Sequence, residues 1–252
     1  MLKAEDIWFR YSKERWILRG VSFAIDRGLH CIVGPNGCGK TTLIRIIIGG
    51  LRPQHGKIIA FGRRIKGIKD AVGLMVYVPS NPTMFLVGPR VRDDLYKASR
   101  DPNMSLSEII DVLGLKDIME KRIFELSEGQ RHIVAVASAI LYGTRIIVLD
   151  EPTIGLDRGY RSKIIEALRL VAKNRIIIVA SNDLRFVKKC DTVMLLNDGK
   201  IVMHADPYDV LSSREFPFDD KLVRFINIMR KMGLPPKELS DDIVNLIRRA
   251  LC

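Results

Sequence analysis

Hydrophobic and polar positions along this chain change period several times, and the changes divide it into blocks. Alternating apolar residues at 2–10 and 21–25 predict two β-strands. A short apolar run, His30-Cys31-Ile32-Val33, then enters a glycine-rich turn, with a helical spacing from Lys40 to about Ile48. Residues 56–59 and 73–78 predict further strands, and Pro79, Pro82 and Pro89 break the pattern into a loop. The period becomes helical over 91–99, 105–113 and 128–141, a helical insertion between strands. Two near-continuous apolar runs follow, 145–149 and 175–179, joined by a helical stretch over 157–172. Runs apolar on both faces and linked by a helix predict buried parallel strands. A β pair at 193–196 and 200–203 flanks Asn197-Asp198-Gly199, and the rest of the chain is helical. Leu222, Phe225, Ile226 and Met229 share one face there, as do Ile243, Leu246, Ile247 and Ala250.

Composition keeps this picture globular. The chain has 252 residues, 47% of them hydrophobic and 28% charged, which fits an α/β domain with an appendage rather than disorder or a fibrous repeat. Acids at Glu5 and Asp6 occupy the place where a secretory signal needs an apolar stretch, and no run approaches the roughly 20 apolar residues that span a bilayer. A cytoplasmic protein is expected. Cys31, Cys38, Cys190 and Cys252 have no CxxC or His-rich spacing, so reduced thiols are expected rather than zinc or a disulfide framework. The net charge of +12 favours anionic partners. Its bases fall in scattered pairs (Arg63-Arg64, Lys188-Lys189, Arg248-Arg249) without a basic block or interleaved aromatics, the pattern of a solvated surface rather than a nucleic-acid interface.

The chemistry concentrates in three motifs. Gly34-Pro35-Asn36-Gly37-Cys38-Gly39-Lys40-Thr41 satisfies GxxxxGK[ST] between a predicted strand and helix. Such a loop aims backbone N–H groups and a helix N-terminus at a triphosphate, with Lys40 reaching the β and γ phosphates and Thr41 holding Mg²⁺. Asp150 ends an apolar strand, where it can hold Mg²⁺ through water. Glu151, one residue on, is placed to deprotonate an attacking water. Ser127 and Gln130 make an S-x-x-Q capping box ahead of a helix, and the same glycine-bearing N-terminus (Gly129) is an anion site that could meet a γ-phosphate.

In this order, residues 34–42, Leu126-Ser127-Glu128-Gly129-Gln130 and the stretch 149–157 resemble the ATP-binding cassette (ABC) ATPases over about residues 2–205. The resemblance implies a P-loop NTPase, RecA-like α/β core with an N-terminal antiparallel β subdomain. It places a helical subdomain inserted at about 83–142 within an ABC domain of residues 1–205, followed by a small helical C-terminal extension at 206–252. It implies ATP and Mg²⁺ as ligands, and a head-to-tail dimer, with a second copy or with a different ABC ATPase subunit, in which each ATP lies between one chain's residues 34–42 (Thr42 included) and the other's Ser127, Gly129 and Gln130. Asp157 closes the same constellation. Tyr11 is implied to stack on adenine; by composition alone it is a half-buried strand aromatic.

Val78-Pro79-Ser80-Asn81-Pro82, Val91-Arg92-Asp93-Asp94-Leu95 and Gly233-Leu234-Pro235-Pro236 are similar to the energy-coupling factor and cobalt-type importers, whose loop carries QNP. That likeness implies an integral membrane partner, a peripheral place on the inner face of the membrane, and uptake of a vitamin or metal ion. Pro82, Met84, Phe85 and Leu86 could receive a coupling helix or could cover their own subdomain. A soluble ABC ATPase acting on nucleic acid or the ribosome, and a regulatory ATP clamp, are the rival functions.

Three positions depart from the family. Ser80 stands where the family has its loop glutamine, Asn182 where it has its switch histidine, and Glu128 where the signature has glycine. Serine is too short to reach metal and water, and asparagine cannot carry imidazolium charge. A slow ATP site is expected.

Overall fold

The computed structural model describes residues 1–102, 104–218 and 220–231. Among them the strands form two sheets. β1 (Leu2–Phe9), β2 (Leu18–Ile25), β4 (His55–Ala60) and β5 (Arg63–Ile65) make an antiparallel sheet in the order β2-β1-β4-β5. The second sheet runs β10-β9-β3-β8-β7-β6, from β3 (Gly28–Val33), β6 (Met75–Val78), β7 (Ile146–Asp150), β8 (Ile176–Ala180), β9 (Thr192–Asn197) and β10 (Lys200–Ala205). Its strands are parallel except β10, which pairs with β9 as an antiparallel edge.

Every residue of β3, β7 and β8 is buried. Side chains of a strand alternate between faces, so one apolar run feeds two cores. Ile147, Leu149, Ile177 and Val179 belong to a core shared with the helices, whereas Ile146, Val148, Ile176 and Ile178 belong to a core under the antiparallel sheet. That second core also holds Leu43, Ile44, Ile46 and Ile47 of α1 (Lys40–Ile47). The C-terminal ends of β3, β7 and β8 thereby lie side by side, and the loops leaving them meet.

The helical insertion comprises α3 (Val91–Ala98), α4 (Leu106–Leu113) and α5 (Glu128–Leu141). Buried Asp94 pins it: Oδ1 accepts from the amides of Val87 (2.9 Å) and Gly88 (2.7 Å), and Oδ2 from the Ser138 hydroxyl (3.1 Å). A second tie is the buried ion pair of Arg175, just before β8, with Asp101 beyond α3. α6 (Arg158–Ala172) joins β7 to β8, and α8 (Pro207–Leu211) and α9 (Lys221–Lys231) follow β10. Leu222, Phe225, Ile226 and Met229 are all buried, as their shared face predicts. The second apolar face at 243–250 and the Gly233–Pro236 motif lie outside the described residues.

Three short elements, β5, α2 (Ile68–Ala71) and α7 (Leu184–Val187), have no counterpart in the periodicity, whereas α8 falls in the stretch expected to be helical. β5 is three residues with two exposed arginines, and α2 and α7 are single turns. A period cannot declare itself over so few positions. β2 also begins three residues before the alternation does, because Leu18 pairs with Phe9 across the sheet. No helix among the described residues is long and apolar enough to cross a membrane.

Candidate functional site

The loop between β3 and α1 has the backbone of a phosphate cradle. Gly34 (φ 157°) passes so close to β9 that a Cβ there would lie 2.0 Å from the Leu196 carbonyl oxygen. Gly37 (φ 78°) instead faces open space, with nothing within 4 Å of a built Cβ. One glycine lets the loop lean on the sheet, and the other leaves its mouth clear. Lys40 is buried, and its Nζ donates to the carbonyls of Gly34 (2.7 Å) and Pro35 (3.3 Å). The ammonium therefore sits over the loop that opens the helix. Asn36 is exposed at the mouth, while Cys38 is buried and its thiol is pushed up by burial, which keeps it protonated. Cys31, Cys38 and Cys190 are free thiols; Cys252 lies outside the described residues.

β7 delivers its acids to this loop. Thr41 Oγ1 donates to Asp150 Oδ2 at 2.9 Å, across 109 residues of sequence. Burial, the largest influence, raises the Asp150 pKa; hydrogen bonds from Thr41 and Tyr77 and the charges of Lys40 and Arg45 oppose it. Glu151 has a left-handed backbone, φ 50°, a conformation that costs a non-glycine residue of order 1–3 kcal/mol and persists where surroundings impose it. Its amide is held by the Ala180 carbonyl at 2.8 Å. Its pKa is also raised by burial, against a hydrogen bond from Ser181 and the charge of Lys40. A buried carboxylate with a raised pKa accepts a proton more readily than a solvated one.

Asn36, Ser80, Glu128, Glu151, Thr153 and Asn182 line one cleft of about 910 Å³. Ser80 is exposed, whereas the Asn182 side chain is engaged: its Oδ1 accepts from the Gly34 amide at 3.2 Å. Tyr11 lies beyond the end of β1 with its ring 61% exposed, its hydroxyl 3.3 Å from Thr42 Oγ1 and its edge on Phe9. The half-buried strand aromatic is therefore not what the fold builds. Ser127 and Gln130 form the reciprocal capping box, Ser127 Oγ accepting from Gln130 N (3.2 Å) and Gln130 Oε1 from Ser127 N (3.1 Å). Gly129 touches the loop after β7, where its Cβ would meet Leu156 at 3.0 Å. Asp157 caps α6 through Tyr160 N at 2.9 Å.

Motif reading has no handle on Tyr77, Ser181, Arg161 or Asp183, which tertiary structure alone brings here. Arg45 had a signal: it stands one helical turn after Thr41 and so shares its face. In the loop after Ser80, Pro82 and Leu86 are buried and Phe85 packs edge-on against Tyr142, so these three cover their own subdomain. Met84 (77% exposed) is the one that faces out, with Val87 and Phe124 (72% each).

Comparison with known proteins agrees with this geometry. The sequence profile described as ABC transporter matches residues 18–154. A putative ABC transporter ATP-binding protein of Pyrococcus furiosus is 29% identical over 97% of this chain and 98% of its own length. The energy-coupling factor transporter ATP-binding protein EcfA of Methanocaldococcus jannaschii is 32% identical over 98% of each chain. Among solved structures, cbiO1 of Clostridium perfringens, part of the ABC transporter complex cbiONQ, is 28% identical with a TM-score of 0.72, covering 91% of this chain and 98% of that one. The fold alone is shared with the ATP-binding cassette MJ0796 in its dimeric, post-hydrolysis state with ADP and Pi (21% identity, TM-score 0.70, 82% and 99% covered). The cradle at Gly34, the acids that β7 brings to it and the profile match converge: the chain belongs to the ABC transporter family, as its ATP-hydrolysing subunit.

Proposed function

We propose that this chain drives an energy-coupling-factor-type importer of a vitamin or metal ion, working as half of a head-to-tail, ATP-clamped dimer on the inner face of a membrane. The observation that carries the reading is the Thr41–Asp150 hydrogen bond with Glu151 beside it. A hydroxyl and two carboxylates beside one phosphate loop support a metal-binding role for Asp150 and a general-base role for Glu151.

In this reading Tyr11 stacks on adenine. The loop amides of residues 34–42 and Lys40 bind the phosphates, and Ser127, Gly129 and Gln130 of one chain close on the ATP of the other. Thr41 and Asp150 offer adjacent hard oxygens, which suit Mg²⁺. Bound there, it would neutralise phosphate charge. Glu151 takes the proton from the water that attacks the γ-phosphorus, the bond to ADP breaks, and the dimer reopens. Ser80 is too short to act as the family's glutamine does, and Asn182 is tied to Gly34. Glu128 adds negative charge at the signature helix. These features support slow turnover at the site built on this chain.

Docking has a candidate face. Phe124, Arg122 and Arg131 line an indentation of about 630 Å³ with Thr83 and Gly88, the chain neighbours of exposed Met84 and Val87. An amphipathic helix of a membrane subunit, with an acid between apolar residues, suits that surface.

The test is to isolate the tagged chain from membranes and identify what accompanies it. We expect an integral membrane protein, together with faster ATPase activity than the chain has alone. A chain that comes without membrane proteins, and shifts RNA or DNA in a salt-sensitive manner, would overturn the transport reading.

A further inference from the structure

One guanidinium joins two loops that the chemistry above leaves separate. Arg161 lies on the first turns of α6, its side chain 16% exposed. Its Nη2 donates to the Leu156 carbonyl at 3.0 Å, within the loop that follows β7. Its Nε donates to the Asp183 carboxylate, in the loop that follows β8. Asp183 is built into that loop. Its other oxygen accepts from Arg185 N (3.1 Å), and its amide donates to Ser181 Oγ (3.1 Å). Ser181 is the hydroxyl that bonds Glu151, and Asn182 is the residue that accepts from the Gly34 amide. A continuous set of bonds thus runs from the phosphate loop through residues 181–183 to Arg161, and from there to Leu156, which itself touches Gly129.

An arginine fork presents its donors at fixed angles, so satisfying both acceptors fixes one loop relative to the other. The pair is largely shielded from water, where a charge-assisted bond is not readily exchanged for solvent. If 181–183 shifts when a γ-phosphate occupies the cradle, Arg161 either carries Leu156 with it or breaks a charged bond.

We propose that Arg161 is a positioning residue that transmits the nucleotide state of residues 181–183 to residues 153–157. In the head-to-tail pairing argued above, on which this last step rests, Gly129, which Leu156 adjoins, closes on the partner's ATP. The state of one site then reaches the other through the fork of Arg161.

Hydrogen exchange measured by mass spectrometry tests this in a Glu151→Gln background that holds ATP. Parent, Arg161→Gln, Arg161→Lys and Asp183→Asn proteins are compared with and without ATP and Mg²⁺, at a dilution where light scattering shows single chains. In the parent, ATP should slow exchange about fivefold in both segments. In Arg161→Gln, residues 181–185 should still respond, and the response at 153–157 should fall below about twofold. Arg161→Lys should behave likewise, because an ammonium keeps the charge but not the fork, and Asp183→Asn combined with Arg161→Gln should be no worse than either alone. A parental response at 153–157 in Arg161→Gln overturns the proposal. So does equal loss at both segments, which marks a merely structural residue. Where Arg161→Gln does not fold, the Lys and Asn variants decide on the same readout. Light scattering at higher concentration, and of the complex isolated from membranes, reads the pairing separately: if ATP pairs this chain neither with itself nor with a second ATPase subunit, the head-to-tail reading fails while the exchange pattern still decides the role of Arg161.

Discussion

The floor and the rim of the nucleotide cleft are built differently. At the floor, the loop at Gly34 leans on β9, Lys40 is buried across it, and Thr41 is bonded to Asp150. Glu151 is held left-handed between strands. At the rim, Ser80 is exposed, Asn182 is engaged with Gly34 and Glu128 stands at the signature helix. In the proposed reading the floor keeps every residue type that gripping a triphosphate and activating water require. The departures from the family all fall on the rim, where a third phosphate would be sensed. Binding and sensing are separable in this reading, and the departures bear on the second.

The contrast breaks most visibly at Glu151. Glu151→Gln removes the base but leaves the cradle, so turnover of the assembled transporter should fall about 10²–10⁴-fold with ATP affinity little changed. Lys40→Ala attacks the floor itself and should weaken ATP binding about 100-fold, read by equilibrium titration, since one charge-assisted contact to phosphate is worth about 1.5–3 kcal/mol. Affinity untouched by Lys40→Ala would remove the basis for the whole site. Turnover above roughly 1 s⁻¹ by the isolated chain, abolished by Glu151→Gln, would refute the slow site.

Restoring the rim sharpens the comparison. Ser80→Gln with Asn182→His returns a reach to the metal and water and a chargeable imidazole, and should raise kcat about tenfold with KM nearly constant. A gain in affinity without a gain in kcat would mean that the two positions tune binding instead.

The same division governs what the sequence discloses. The phosphate loop is legible because its function is a backbone conformation, and such a conformation dictates glycines at fixed spacing. The buried strands are legible because both their faces are apolar, which no exposed element tolerates. The capping box at Ser127 is legible as a local bond. Tyr77, Ser181, Arg161 and Asp183 are not, because each acts on a residue that only the fold makes its neighbour; Arg161 and Asp183 are 22 positions apart. Likewise, Pro82, Phe85 and Leu86 differ from Met84 only in direction, and direction in an irregular loop has no period to read. β5 escapes for a related reason: two arginines in a three-residue edge strand look like any charged turn.

The smallest effect concerns what the floor costs the empty protein. Burial holds the Asp150 pKa above its ordinary value despite Lys40, Arg45, Thr41 and Tyr77. A carboxyl raised in the folded state binds its proton more tightly there than in the unfolded chain. Its contribution to stability is therefore fully present below the unfolded pKa and is lost as pH rises through the folded one. At neutral pH the ionised Asp150 destabilises the nucleotide-free fold. Asp150→Asn keeps an acceptor for Thr41 without the charge, so the melting temperature of the nucleotide-free protein should rise by about 2–4 °C at pH 7.5, and the gain should shrink toward zero near pH 4. Differential scanning calorimetry across that range checks both. ATP with Mg²⁺ should stabilise the parent strongly and the variant little, because the carboxylate that strains the empty site is the one proposed to bind the metal. A variant less stable than the parent at pH 7.5 would show that Lys40 and Arg45 already compensate the buried charge, so that the floor stores no strain for nucleotide to relieve.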